Sequence, residues 1–75
     1  MRTAPIRTGR AFADALREFR VASGMTQREL ADATGVTQSL IAELESGKTT
    51  KAIERCFLLL RALDAHVVIM DSRNG

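Results

Sequence analysis

Apolar side chains recur along much of the chain at intervals of three and four residues, which is the spacing of one face of an α-helix. Four such stretches predict helices over about residues 10–22, 27–33, 38–45 and 51–62. A threonine stands at or just before the start of each, where its hydroxyl can cap the free N–H groups of the first turn. The fourth stretch has more apolar positions than one stripe needs, so this helix is predicted to be buried on two sides.

The segment from His66 to Met70 breaks this helical pattern, because consecutive β-branched residues favour a strand. No other segment offers this strand a convincing partner. We therefore expect it to pair with the same strand of a second copy across a two-fold axis. The predicted dimerisation residues are His66, Val67, Val68, Ile69 and Met70. The chain then divides into a flexible N-terminal arm (1–9), a helical DNA-binding domain (10–65) and a dimerisation strand with its tail (66–75).

Composition narrows the classes of protein that the chain can belong to. With 75 residues it forms one domain at most, and domains of this size often need oligomerisation for stability. Cys56 is the only cysteine, and its apolar neighbours in the sequence predict a buried, inert thiol. One histidine and the lack of a glycine-rich phosphate loop lead us to expect no metal, no cofactor and no enzymatic activity. The lack of an apolar membrane span or signal peptide predicts a cytoplasmic protein.

Charge is distributed unevenly, although the net charge is only +2. Residues 1–28 carry six arginines against two carboxylates, whereas residues 29–47 carry four carboxylates and no cation. Residues 48–75 carry five cations against three carboxylates. Basic flanks around an acidic middle are compatible with phosphate contacts made from the edges of a DNA-reading element, and equally with ordinary solvated helix faces.

The most specific pattern is a tight corner between the second and third predicted helices. Thr26 and Glu29 have the spacing of a capping box at the start of the second helix. Gly35 suits the left-handed turn that ends it, and the small Ala31 lets the two helices approach. Three apolar residues are expected to fill the angle between the helices: Val36, Ile41 and Leu44. Such a corner holds the third helix as a protruding rod that fits the major groove of DNA.

The polar positions of this corner match the chemistry of DNA recognition. The amide of Gln38 can pair with adenine, and the helix start at Gln27 favours a phosphate. Glu45 is expected instead to be structural, bonded to a neighbouring helix end. The candidate DNA-binding residues are Gln27, Arg28, Thr37, Gln38, Ser39, Ala42, Glu43, Lys48, Thr49 and Lys51.

At these residues the chain resembles the Xre/Cro-repressor-like helix-turn-helix family. The second half of the likeness reads Gly35-Val36-Thr37-Gln38-Ser39-x-Ile41-x-x-Leu44-Glu45-x-Gly47, and the first half starts at Leu16-Arg17-x-x-Arg20. The resemblance implies an all-α, lambda-repressor-like bundle of four or five helices that binds palindromic operators as a dimer. It also implies that Gln27 contacts phosphate and that Gln38 reads bases. Asp64 departs from the family, where a glycine is usual after the fourth helix.

Within this family the chain resembles the HipB-type antitoxins, which end the bundle with a short apolar strand and a polar tail. The resemblance implies a homodimeric repressor of its own operon that also binds a HipA-like kinase toxin. Two alternatives stay open at this point. One is a stand-alone Xre-type regulator, such as a phage repressor or a restriction–modification controller. The other is a protein-interaction module that does not bind DNA.

Overall fold

The computed structural model describes residues 3–71 and consists of four helices and two short strands. In chain order these are β1 (Thr3–Ile6), α1 (Gly9–Ala22), α2 (Gln27–Thr34), α3 (Gln38–Glu45), α4 (Lys51–Ala62) and β2 (Val67–Met70). All four predicted helices are present, with bounds that agree to within one residue. No helix in residues 3–71 is both long and apolar enough to cross a membrane.

Threonine hydroxyls cap all four helices, as the sequence predicts. Thr8, Thr26, Thr37 and Thr50 each accept a hydrogen bond from the backbone N–H three residues further on. The capping box is also confirmed, because the Glu29 carboxylate accepts from the Thr26 N–H at 2.9 Å. Such a cap is worth about 1 kcal/mol. These local bonds explain why the helices begin where they do.

The two strands form one antiparallel sheet within the chain. Thr3 pairs with Met70, and Ile6 pairs with Val67. The prediction that the C-terminal strand has no partner in its own chain is therefore wrong, and part of the predicted N-terminal arm is a strand. Thr-Ala-Pro-Ile is short and includes a proline, so its sequence gives a weak strand signal. The tail from Ser72 to Gly75 lies outside the described residues.

The core lies between the sheet, α1 and α4. Ile6, Ala15 and Phe57 are buried at its centre, and Ile6 is only 1% exposed. Partly buried side chains surround them: Ala4, Ala11, Phe19, Ile53, Leu60 and Ile69. Pairing of β1 with β2 therefore supplies a face of the core as well as backbone hydrogen bonds.

Helix α4 is buried along one side only. Ile53, Phe57 and Leu60 face the core, whereas Leu59 is 65% exposed. Cys56 is exposed as well, so the prediction of a buried thiol is wrong. The wide apolar set of α4 exceeds what α1 and the sheet of one chain can cover.

Candidate nucleic-acid interface

The turn between α2 and α3 has the backbone geometry that the sequence predicts. The Gly35 N–H donates to the Ala31 carbonyl at 2.8 Å, which closes the last turn of α2. Gly35 has φ +77°, in the left-handed region that costs other residues about 1–2 kcal/mol. A Cβ added at this position would meet no atom within 4 Å. The requirement for glycine therefore comes from backbone conformation and not from space.

Ile41 is the apolar anchor of α3, because it is only 3% exposed. Leu44 and Ala31 are half-buried, in line with their predicted place between the helices. Val36 is 38% exposed and Leu40 is 45% exposed, so these two residues do not fill the corner as predicted. The inward face of α3 is taken by Ile41 and, one turn later, by a carboxylate.

That carboxylate is Glu45, which forms a buried ion pair with Arg20 of α1. Arg20 Nε donates to Glu45 Oε2 at 2.7 Å, and Arg20 Nη2 donates to Glu45 Oε1 at 2.9 Å. The side chains of Arg20 and Glu45 are 11% and 3% exposed. Arg20 Nη1 also donates to the Met25 carbonyl at 2.8 Å. The pair thus fixes the end of α3 to the end of α1, and the prediction that Glu45 is structural is confirmed.

The same contacts settle the charge of this buried site. Hydrogen bonding from Arg20 is the main reason why the pKa of Glu45 lies below its ordinary value of 4.5. The same bond raises the pKa of Arg20. Both groups are charged at neutral pH, and each neutralises the other. Glu45 therefore adds little repulsion toward an approaching phosphate, unlike a solvated carboxylate on the same helix.

Gln27 joins the ion pair from the first turn of α2. Its Nε2 donates to Glu45 Oε1 at 3.1 Å, and the side chain is half-buried. Glu45 consequently links α1, α2 and α3 through one carboxylate. Sequence reasoning predicts that Gln27 contacts a phosphate. In the structure its side chain also positions α2, and its backbone N–H lies in a first turn that lacks intrahelical acceptors.

The polar side of α3 is open to solvent. Thr37, Gln38, Ser39 and Glu43 are exposed, and Ala42 is half-buried. The Thr37 hydroxyl accepts from the Leu40 N–H at 3.2 Å, so it is committed first to capping. Gln38 is the first residue of the helix, where a side chain can extend beyond the end of the rod. The predicted base-reading residues therefore occupy one accessible turn.

Cations lie beyond the C-terminal end of α3. Lys48 and Lys51 are exposed, as is Arg28 on α2. Thr49 is half-buried, and its hydroxyl donates to Glu54 at 2.8 Å, so it is less available to a phosphate than predicted.

Arg10, which sequence reasoning did not select, lies beside this loop. Arg10 Nη1 donates to the Ser46 carbonyl at 3.3 Å, and its guanidinium packs against Gly47. A cleft next to it is lined by three further cations: Lys51, Arg55 and Arg61. The large separation of Arg10 from α3 in sequence explains why no local pattern reveals this contact.

Comparison with known proteins identifies similar sequences. A helix-turn-helix family matches residues 16–68, which include all four positions of the buried corner discussed above. An uncharacterized HTH-type transcriptional regulator of Archaeoglobus fulgidus is 38% identical over 52 residues, which cover 69% of this chain and 74% of that protein. No solved structure gives a significant match.

Proposed function

Because the chain belongs to the helix-turn-helix family, we propose that it is a sequence-specific DNA-binding transcriptional repressor that acts as a homodimer. The observation that carries this proposal is the exposed polar turn at the start of α3, above a corner held by a buried ion pair. A reading helix needs both properties. Its base-contacting side must be free, and its other side must be fixed so that little order is lost on binding.

The proposed contacts follow from where the side chains lie. Gln38 enters the major groove and pairs with a base, and adenine offers the matching donor and acceptor. Ser39 contacts a base or a phosphate beside it, Ala42 meets a thymine methyl group, and Glu43 lies at the edge of this surface. Phosphates are bound on both sides of the groove by Gln27, Arg28, Thr37, Lys48, Thr49 and Lys51. Phosphate contacts provide affinity, and base contacts provide selectivity.

Repression would follow from occupancy of the operator. Two copies related by a two-fold axis place two α3 helices in successive major grooves, about 34 Å apart on one side of the DNA. A protein bound in this way blocks access to the promoter it covers. No cofactor or metal is required for this mechanism.

The DNA proposal is tested with a duplex library from which the protein selects its preferred sequence. Gln38→Ala should weaken binding to the selected duplex by about 1–3 kcal/mol and leave binding to a scrambled duplex nearly unchanged. Lys48→Gln is the matched control, because loss of a phosphate contact should weaken both duplexes equally and reduce the salt dependence of binding. Failure of the native protein to bind any duplex at low salt would contradict the proposal and favour a protein-interaction module.

We further propose that this repressor is the antitoxin of a toxin–antitoxin pair and binds a HipA-like kinase. The support is the short apolar strand β2 followed by a polar tail, a feature shared with HipB-type antitoxins. In those proteins the strand pairs between protomers, whereas here β2 pairs with β1 of the same chain. A dimer contact through β2 must therefore use its outer edge or outer face. Co-purification of the tagged protein with the product of an adjacent reading frame tests the proposal, and a lone gene would instead indicate a stand-alone regulator.

A further inference from the structure

A large share of the apolar surface is not covered within one chain. Hydrophobic residues make up 45% of the sequence. In the described residues 3–71, however, only five of them are buried, and two of these are alanines. Ten large hydrophobic side chains in the same range are more than one-third exposed. Exposed apolar residues become informative when they lie together on one element.

Such a group lies on one flank of α4. Ala52, Cys56, Leu59 and Leu63 follow one another at intervals of four, three and four residues, and we call them the α4 stripe. All four are exposed, with Leu59 at 65% and Leu63 at 74%. On a helix of 3.6 residues per turn they lie about 90° from the side that faces the core. The spacing averages about 3.5 residues, which is the period of a seam between two packed helices.

We propose that the α4 stripe is the contact between two copies of this chain, with α4 of one protomer packed along α4 of the other. This inference rests on the proposed homodimer and assigns it a surface different from β2. The stripe contains no charged side chain, so a symmetric contact brings no like charges together at its centre. A two-fold axis uses the same patch on both copies, and a seam with heptad spacing is complementary to itself.

The opposite flank of α4 explains why the contact uses this side. That flank lines the cleft that contains Arg10, Lys51 and Arg61, and a second copy placed there would face its own cations. The available area is also sufficient. A standard interface takes about 800 Å² from each partner, which is about one-seventh of the 5516 Å² exposed by this chain. The two leucines of the stripe lie near its centre or end and supply the residues that anchor it.

The decisive variant replaces both exposed leucines, Leu59→Ser and Leu63→Ser, and sedimentation equilibrium measures the dimer dissociation constant without DNA. These side chains make no buried contact in one chain, so the fold should persist, which circular dichroism checks. We expect the dimer to weaken about ten-fold or more, because truncating central interface residues has effects of this size. Leu58→Ser is the matched control, since Leu58 is 57% exposed but lies on the opposite flank. It should change the constant by less than about two-fold.

A second measurement uses the native chain. Cys56 is the only cysteine, so a short bis-maleimide can join only two different chains. We expect a covalent dimer from the native protein and its loss from the double serine variant and from Cys56→Ser. A double variant that still dimerises with native affinity would overturn the proposal and favour β2 as the contact. A native protein that binds its operator but is monomeric without DNA would overturn the α4 contact while leaving the DNA-binding proposal intact.

Discussion

Glu45→Ala is the substitution that most directly tests how the corner is held. Glu45 accepts hydrogen bonds from Arg20 Nε, Arg20 Nη2 and Gln27 Nε2 at 2.7, 2.9 and 3.1 Å. Its removal leaves the Arg20 guanidinium, 11% exposed, without a counter-ion, although Nη1 still donates to the Met25 carbonyl. The substitution therefore leaves a desolvated positive charge between three helices.

The expected loss of stability follows from this burial. Removal of one partner from a buried ion pair costs about 3–5 kcal/mol. Arg20 lies in the last turn of α1 and can turn partly toward water, so we expect the lower end, about 3 kcal/mol. For a domain of this length, a loss of that size lowers the melting temperature by about 12–24 °C. Since small domains have only about 5–15 kcal/mol in total, the variant should be close to unfolding at ambient temperature.

Urea unfolding followed by far-ultraviolet circular dichroism at pH 7 measures this loss. Glu43→Ala is the matched control, because it removes the same charge from an exposed position on the same helix and should change stability by less than about 0.5 kcal/mol. The double substitution Arg20→Met with Glu45→Leu should recover most of the lost stability, because an apolar pair needs no counter-ion. A cost below about 1 kcal/mol for Glu45→Ala would mean that the pair behaves as a surface salt bridge, and our account of the corner would then be refuted.

Three further predictions concern the backbone and the protonation of the same fold. Asp64 adopts φ +54° after α4, and Asp64→Gly should raise stability by about 0.5–1 kcal/mol in thermal unfolding, whereas unchanged or lower stability would contradict a strained turn. Gly35→Ala should cost about 1–2 kcal/mol and weaken operator binding, and a variant with native stability would show that α2 ends differently. Because the folded pKa of Glu45 is depressed, its contribution is complete above pH 4.5 and is lost as the pH falls through the lower folded value. Acid unfolding should therefore be less pH-dependent in the Arg20→Met/Glu45→Leu variant than in the native protein, and equal dependence would contradict this assignment.

The sequence alone predicts the four helices, their caps and the turn at Gly35. These features depend on interactions between residues no more than four positions apart, namely helical spacing, a hydroxyl three residues before an N–H, and one left-handed glycine. The exposed position of Gln38 follows from the same local rules. The structural role of Glu45 was also predictable, because a carboxylate on the buried side of α3 needs a partner.

Tertiary structure alone decides which distant residues meet. Sequence reasoning placed Arg20 on the surface and gave β2 no partner, yet Arg20 binds Glu45 and β1 pairs with β2 across more than sixty positions. It also expected Cys56 to be buried, whereas α4 turns that flank outward. Apolar periodicity states that a helix has a face to bury, but it does not state which neighbour covers it. That choice depends on how α1, the sheet and α4 pack together, and a single chain leaves the α4 stripe uncovered.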